Sequence, residues 1–204
     1  MSPASSPELP QGLIQALRDA GRVAVLTGSG ISAESGVPTF REAQTGIWAR
    51  YDPQRLATPE AFERDPRLVW EWYEWRRRLV SEAEPNPGHR ALAQLEREVP
   101  DFTLVTQNVD GLHRRAGSKN VIELHSNVLR LKCSVEGVAA EPEAGDRSVP
   151  PLCPGCGAYL KPDVVWFGEM LPAGASRRRR RRHAGARCSS RSGPRLVYPA
   201  TALP

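Results

Sequence analysis

Apolar residues recur at helical spacing near the start of the chain, where Leu9, Leu13, Ile14 and Leu17 share a face and Gly21 follows at a capping position. This predicts an amphipathic helix over about residues 9–20. The β-branched run at 23–27 then predicts a buried strand, and it ends at the glycines Gly28 and Gly30. Residues 40–58 have mixed polarity with Gly46 and Pro53, and Pro59 follows, the pattern of a loop that closes over a ligand. Leu68, Val69, Trp72, Trp75, Leu79 and Val80 restore a helical period over residues 67–80, and Leu92 with Leu95 marks another helix at 88–98. Strands are expected at 102–106 and 121–124, with a short helix reaching about Ala116 between them. Helices alternating with strands predict an α/β fold built on a parallel sheet, whose ligands lie beyond the carboxyl ends of its strands. Thr27-Gly28, Gln107-Asn108 and His125 all stand at such ends.

From residue 127 to 166 the period breaks into cysteines, prolines and short β-like pieces, which suggests a small inserted module. Its strongest signal is Cys153-Pro154-Gly155-Cys156, a C-x-x-C turn, with Cys133 twenty positions earlier. Such a set points thiolates at one tetrahedral zinc, although Glu136 stands where a regular ribbon has its fourth cysteine. The alternative is a degenerate knuckle held by packing alone. The expected organisation is residues 1–126 for the first part of the α/β unit, 127–166 for the metal module, 167–175 for the return, and 176–204 as a tail.

The chain has 204 residues, 40% of them apolar and 25% charged, and carries a formal charge of +5. Much of that charge is the six-arginine run at 177–182, in a stretch with almost no apolar content that also holds His183 and Cys188. A solvated segment is the expected reading, with nucleic acid or an acidic partner as the alternative. No run of about 18 apolar residues occurs, and the first ten residues lack a secretory pattern, so a cytoplasmic protein with no membrane association is expected. Four cysteines in that setting favour metal over disulfides.

Gly28-Ser29-Gly30-Ile31-Ser32-Ala33 after a strand has the form of a phosphate cradle, because glycines permit close backbone approach and helix-opening N–H groups attract anions. The acidic residue that a dinucleotide dehydrogenase needs some 20 positions later finds no strand to carry it. Taken with Val37-Pro38-Thr39-Phe40-Arg41, Gln107-Asn108-Val109-Asp110-Gly111-Leu112-His113, Glu123-Leu124-His125 and Pro162-Asp163-Val164-Val165-Trp166-Phe167-Gly168-Glu169, the chain resembles the sirtuins, NAD-dependent protein lysine deacylases, and in particular the bacterial desuccinylase and demalonylase type.

The resemblance implies a Rossmann-like domain with a small zinc-binding insert, and acyl-lysine proteins as substrates. It implies that Gly28, Ser29, Gly30 and Ile31 meet the NAD pyrophosphate, and that Thr39, Phe40 and Arg41 form a loop over the nicotinamide ribose. Gln107, Asn108 and Asp110 would contact ribose and nicotinamide, and His125 would be the general base, a task suited to an imidazole titrating near neutrality. The other histidines, His89, His113 and His183, are expected to be structural or solvated. Val164, Trp166, Phe167, Gly168 and Glu169 would bind the substrate peptide as an added strand. Tyr73 and Arg76 match the Y-x-x-R pattern of the acidic-acyl group, a guanidinium fork with a phenol beside it. Cys133, Cys153 and Cys156 are the expected zinc ligands. Two departures stand out: Ser29 replaces the usual alanine, and Ser126 replaces the usual glycine beside the base. Residues 176–195 have the length but not the character of the family's next helix and strand. A shifted reading frame is therefore expected there, with the C-terminal part of the Rossmann-like domain missing and activity weakened.

Overall fold

The computed structural model describes residues 10–38 and 51–171. Strands β1 (Arg22–Thr27), β2 (Asp101–Thr106) and β3 (Val121–Glu123) form a parallel sheet in the order β1-β2-β3, with Val25 opposite Leu104 and Leu104 opposite Val121. Helix α1 (Gln11–Asp19) leads into β1, and the one-turn α2 (Gly30–Ala33) follows it. The long crossover to β2 holds α3 (Pro53–Leu56), α4 (Pro59–Arg64), α5 (Pro66–Glu82) and α6 (Pro87–Glu98), and α7 (Leu112–Arg115) joins β2 to β3. Strands β4 (Ser126–Cys133) and β5 (Leu160–Val164) make a separate antiparallel pair.

The α/β fold with a parallel sheet agrees with the hydrophobic pattern. The loop expected at 40–58 does not hold where it is described, because α3 lies inside it and α4 opens directly after it. Four successive helices, α3 to α6, share one start: Asp52-Pro53, Thr58-Pro59, Asp65-Pro66 and Asn86-Pro87. In each, the first side chain accepts an orphan amide of the first turn, as in Asp65 Oδ1 from Leu68 N at 3.0 Å, and proline takes the position where its missing N–H costs nothing. These prolines begin helices. Read only as breakers, they conceal them.

Strand β1 also differs from the expected buried strand. It alternates exposed and half-buried residues, with Leu26 47% exposed, because among the described residues it has one sheet neighbour, β2. The sheet core is instead centred on β2, where Phe102 and Leu104 pack with Val99 and Val121 beneath Leu92 and Leu95 of α6. A second core joins α4 and α5 to the β4–β5 pair through Phe62, Val69, Trp72, Tyr73, Val128, Val164 and Trp166. Helix α5 is thereby the strut between the strand ends and the cysteine-bearing segment.

Candidate functional site

The carboxyl ends of β1 and β2 converge on a buried polar network with Ser32 at its hub. Ser32 Oγ donates to Asp110 Oδ2 at 2.7 Å and accepts from Asn108 Nδ2 at 2.9 Å. His89 Nε2 lies 3.4 Å from the same oxygen. His89 Nδ1 accepts the Asn86 amide in a capping box at the start of α6, so the ring proton sits on Nε2 and points at Ser32. One hydroxyl proton and two lone pairs are thus fully matched. Asp110 Oδ1 also accepts the Leu112 amide at 2.9 Å, and Asn86 Nδ2 donates to the Ile31 carbonyl, tying α2 to α6.

Beside this network Thr27 Oγ1 bonds Thr106 Oγ1 and His113 Nε2, both at 2.9 Å, and the His113 ring lies 4.8 Å from that of His89. Burial lowers the pKa of both histidines, His113 to about 4, so both rings are neutral supports. Gly28, Ser29 and Gly30 are exposed above the network, and a Cβ added to Gly28 or Gly30 would meet nothing within 4 Å. An open glycine cradle over a preset donor and acceptor set fits a pyrophosphate with its attached ribose and carboxamide. Thr39, Phe40 and Arg41 lie outside the described residues, as do the arginine run, His183 and Cys188.

His125 follows β3, half-buried, with Nδ1 2.9 Å from the Gln107 carbonyl. A carbonyl only accepts, so Nδ1 carries a proton, and in the neutral tautomer it is Nε2 that offers the lone pair a general base requires. Gln107 itself is exposed at the end of β2, with its amide bonded to Thr27 O. The next residue, Ser126, holds φ 62°, a left-handed conformation that accounts for the glycine expected there from the resemblance and that places strain beside His125. Gly111, at φ 71°, is required for a second reason: a Cβ there would stand 2.9 Å from Asn127 Nδ2.

On α5, Tyr73 and Arg76 are 2% and 7% exposed. The Arg76 guanidinium lies 5.3 Å from the centre of the Trp72 ring, and the Tyr73 ring stacks at 6.3 Å on Trp166. Burial pushes the Tyr73 phenol up, partly opposed by the charge of Arg76, and pushes the Arg76 guanidinium down. Trp166 belongs to the segment that follows β5, where Val164 pairs with Ser126 and Val165 N donates to His125 O at 3.2 Å. Phe167 is 46% exposed, Gly168 has φ 88°, and Glu169 closes the turn by accepting Trp166 N at 2.9 Å.

Lys161, which no sequence motif marks, buries its ammonium 3.5 Å from the centre of the Trp166 ring and 2.6 Å from Glu169 Oε1. Burial alone would raise the Glu169 carboxyl, but Lys161 and the Trp166 amide outweigh it and hold it below the usual range. Ser32 is a second residue with no role expected from the sequence. No local signal marks it, since its partners His89, Asn108 and Asp110 stand far along the chain.

The cysteine segment brings Cys133, Cys153 and Cys156 together with Glu136, their ligand atoms all within 4.8 Å of one another. Cys133 Sγ and Cys156 Sγ are 3.4 Å apart, close to the ~3.8 Å separation of two thiolates on one tetrahedral zinc. The donor set fits zinc, which these residues would hold as a structural centre.

The Sir2 family profile matches residues 28–185 of this chain. The chain belongs to the Sir2 family. Among its relatives, the NAD-dependent protein deacylase of Methylococcus capsulatus is 49% identical over 208 residues, covering 97% of this chain and 81% of the relative. One from Thermus thermophilus is 55% identical over 175 residues, 83% and 68% of the two chains. A solved Sir2 homologue in complex with NAD superposes with a TM-score of 0.75 at 47% identity, covering 85% of this chain and 68% of the other. A Sir2 H116A structure with a deacetylated p53 peptide and 3′-O-acetyl ADP-ribose gives 0.70 at 34% identity, covering 82% and 69%. Sirtuin ancestry accounts for the co-location of the glycine cradle, the Gln107 to Asp110 strand end and His125. Among the described residues, no helix is long and apolar enough to cross a membrane.

Proposed function

We propose that this sirtuin is an NAD-dependent protein lysine deacylase whose acyl pocket favours short acidic groups such as succinyl and malonyl over acetyl. The buried Tyr73–Arg76 pair carries that preference. A guanidinium fork can grip the carboxylate at the end of an acyl chain through paired N–H donors while a neighbouring phenol donates a further hydrogen bond. Trp166 stacks on Tyr73 and lies in the segment assigned to the substrate peptide, which supports a pocket reaching from that segment to α5.

NAD, when bound, supplies the electrophilic ribose carbon and the nicotinamide leaving group. Gly28, Ser29, Gly30 and Ile31 take its pyrophosphate, Thr39, Phe40 and Arg41 cover its nicotinamide ribose, and Gln107, Asn108 and Asp110 orient ribose and carboxamide. His125 accepts a proton at Nε2 while Gln107 O fixes its ring through Nδ1. The substrate main chain lies along Val164 to Glu169. The amides of Val165, Trp166, Phe167 and Glu169 are already bonded within the chain, so an added strand draws on the remaining main-chain groups of the segment.

The test is nicotinamide release from the purified chain with NAD and matched succinyl-lysine and acetyl-lysine peptides. Succinyl-lysine should give the higher kcat/KM. His125→Ala should cost about 10² to 10⁴ in turnover with both peptides. Arg76→Met should cost roughly 10- to 100-fold with succinyl-lysine alone, the worth of a charge-assisted bond. Equal losses on both peptides in the Arg76→Met chain would refute the acidic-acyl reading, and no NAD-dependent release at all would refute the deacylase assignment for this chain.

A further inference from the structure

The segments around Cys133 and Cys153 are built on the same backbone plan. In Cys133-Ser134-Val135-Glu136-Gly137, the Gly137 amide donates to the Cys133 carbonyl at 3.0 Å, and the Cys133 amide donates to the Val138 carbonyl at 2.9 Å. In Cys153-Pro154-Gly155-Cys156-Gly157, the Gly157 amide donates to the Cys153 carbonyl at 2.8 Å, and the Cys153 amide donates to the Ala158 carbonyl at 2.7 Å. Each turn ends on a left-handed glycine, Gly137 at φ 68° and Gly157 at φ 74°. The first ligand of each is buried and the fourth residue of each is exposed. Glu136 therefore occupies in one knuckle the place that Cys156 occupies in the other.

We infer that Glu136 is the fourth ligand of the metal centre, giving three thiolates and one carboxylate in place of four thiolates. Its carboxylate already lies within 4.8 Å of every thiol, and its amide donates to Cys133 Sγ at 3.4 Å, which binds the ligand loop to the first sulfur. Carboxylates coordinate zinc at about 2.0–2.2 Å, and the longer glutamate side chain is flexible enough to set that distance from a knuckle shaped for cysteine. The formal charge of the ligand set is unchanged, since one carboxylate replaces one thiolate. Its softness is not. The corners held by Glu136 and Cys156 are exposed while Cys133 and Cys153 pack in an apolar cluster with Trp70, Leu131 and Leu160, so metal enters and leaves on the side of Glu136 and Cys156.

The test uses the full chain loaded with Co(II), together with zinc titration against a chromogenic chelator, and neither readout depends on deacylase activity. Wild-type protein should show the visible bands of tetrahedral Co(II) and the charge-transfer intensity of three thiolates. Glu136→Cys should raise that intensity by about one third and slow zinc release to the chelator. Glu136→Gln, similar in shape and a poor ligand, should weaken zinc binding at least about tenfold while the far-ultraviolet spectrum of the zinc-loaded chain is retained. Wild-type Co(II) bands and zinc affinity retained in both Glu136→Gln and Glu136→Ala would overturn the assignment. So would a wild-type chain that binds neither Co(II) nor zinc.

Discussion

The strand-end network and the paired knuckles are both polar, both partly buried and both assembled from distant segments, yet they are completed by different means. Around Ser32 every capacity of the hydroxyl is met by another side chain, and the capping box of α6 orients the last of them. The network is finished by the fold itself. In the knuckles, three thiols and a carboxylate crowd within 4.8 Å on backbone loops, and the thiols can give up their protons together only around a cation. A cofactor site that must admit and release its ligand at each turnover gains from preset partners, whereas a site that keeps its metal can leave closure to it.

Metal removal should separate the two regions most sharply. Chelation is expected to abolish amide exchange protection across β4, β5 and the knuckles, by about a hundredfold or more, while β1 to β3 stay protected. Equal loss in both regions, read by hydrogen exchange, would mean that the knuckles and the sheet form one cooperative unit. Ser32→Ala comes next. Leaving Asn108 and Asp110 short of a partner should cost about 1–3 kcal/mol in a urea titration and weaken NAD binding, without touching the Co(II) spectrum of the knuckles.

A smaller effect concerns acid. His113 is held near pKa 4 when folded against an ordinary 6.5, so between those values the unfolded chain binds a proton that the native one does not. Stability contributed by neutral His113 is complete above about 6.5 and is lost as pH falls toward 4, and lowered His89 acts with the same sign. Urea midpoints of a His113→Asn chain should therefore fall less steeply than wild type through this window. Smallest is Ser126→Gly, which removes the left-handed strain beside His125 and should raise stability by about 1 kcal/mol in thermal unfolding. An unchanged or lower melting temperature would show that the serine side chain makes up for its backbone.

Much of the α/β alternation was legible because periodicity reports which face of each element is buried, and α1, α5, α6, β2 and β3 fall close to their expected bounds. Helices α3 and α4 were not, since Asp-Pro and Thr-Pro mark a turn or a helix start equally well until the following turn is seen to bond its cap. The cradle glycines, the Gln107 to Asp110 segment and His125 could be named from spacing and resemblance, because ligand-binding residues at strand ends are tied to local turn chemistry. Ser32 and Lys161 could not. Their significance lies in partners 57 to 78 positions away for Ser32 and in the Trp166 ring for Lys161, relations that no local pattern carries.

The sequence by itself determined the fold class and the cysteines of the candidate metal site, through period and spacing within short windows, and the family and the candidate base through the resemblance of its motifs. Only the tertiary structure decided which nitrogen of His125 faces the Gln107 carbonyl, that Tyr73 and Arg76 are buried beside Trp166, and that the Glu136 carboxylate lies within 4.8 Å of all three thiols. Those outcomes depend on burial and on contacts between distant segments, and the free energy of such contacts exists only once the chain has closed around them.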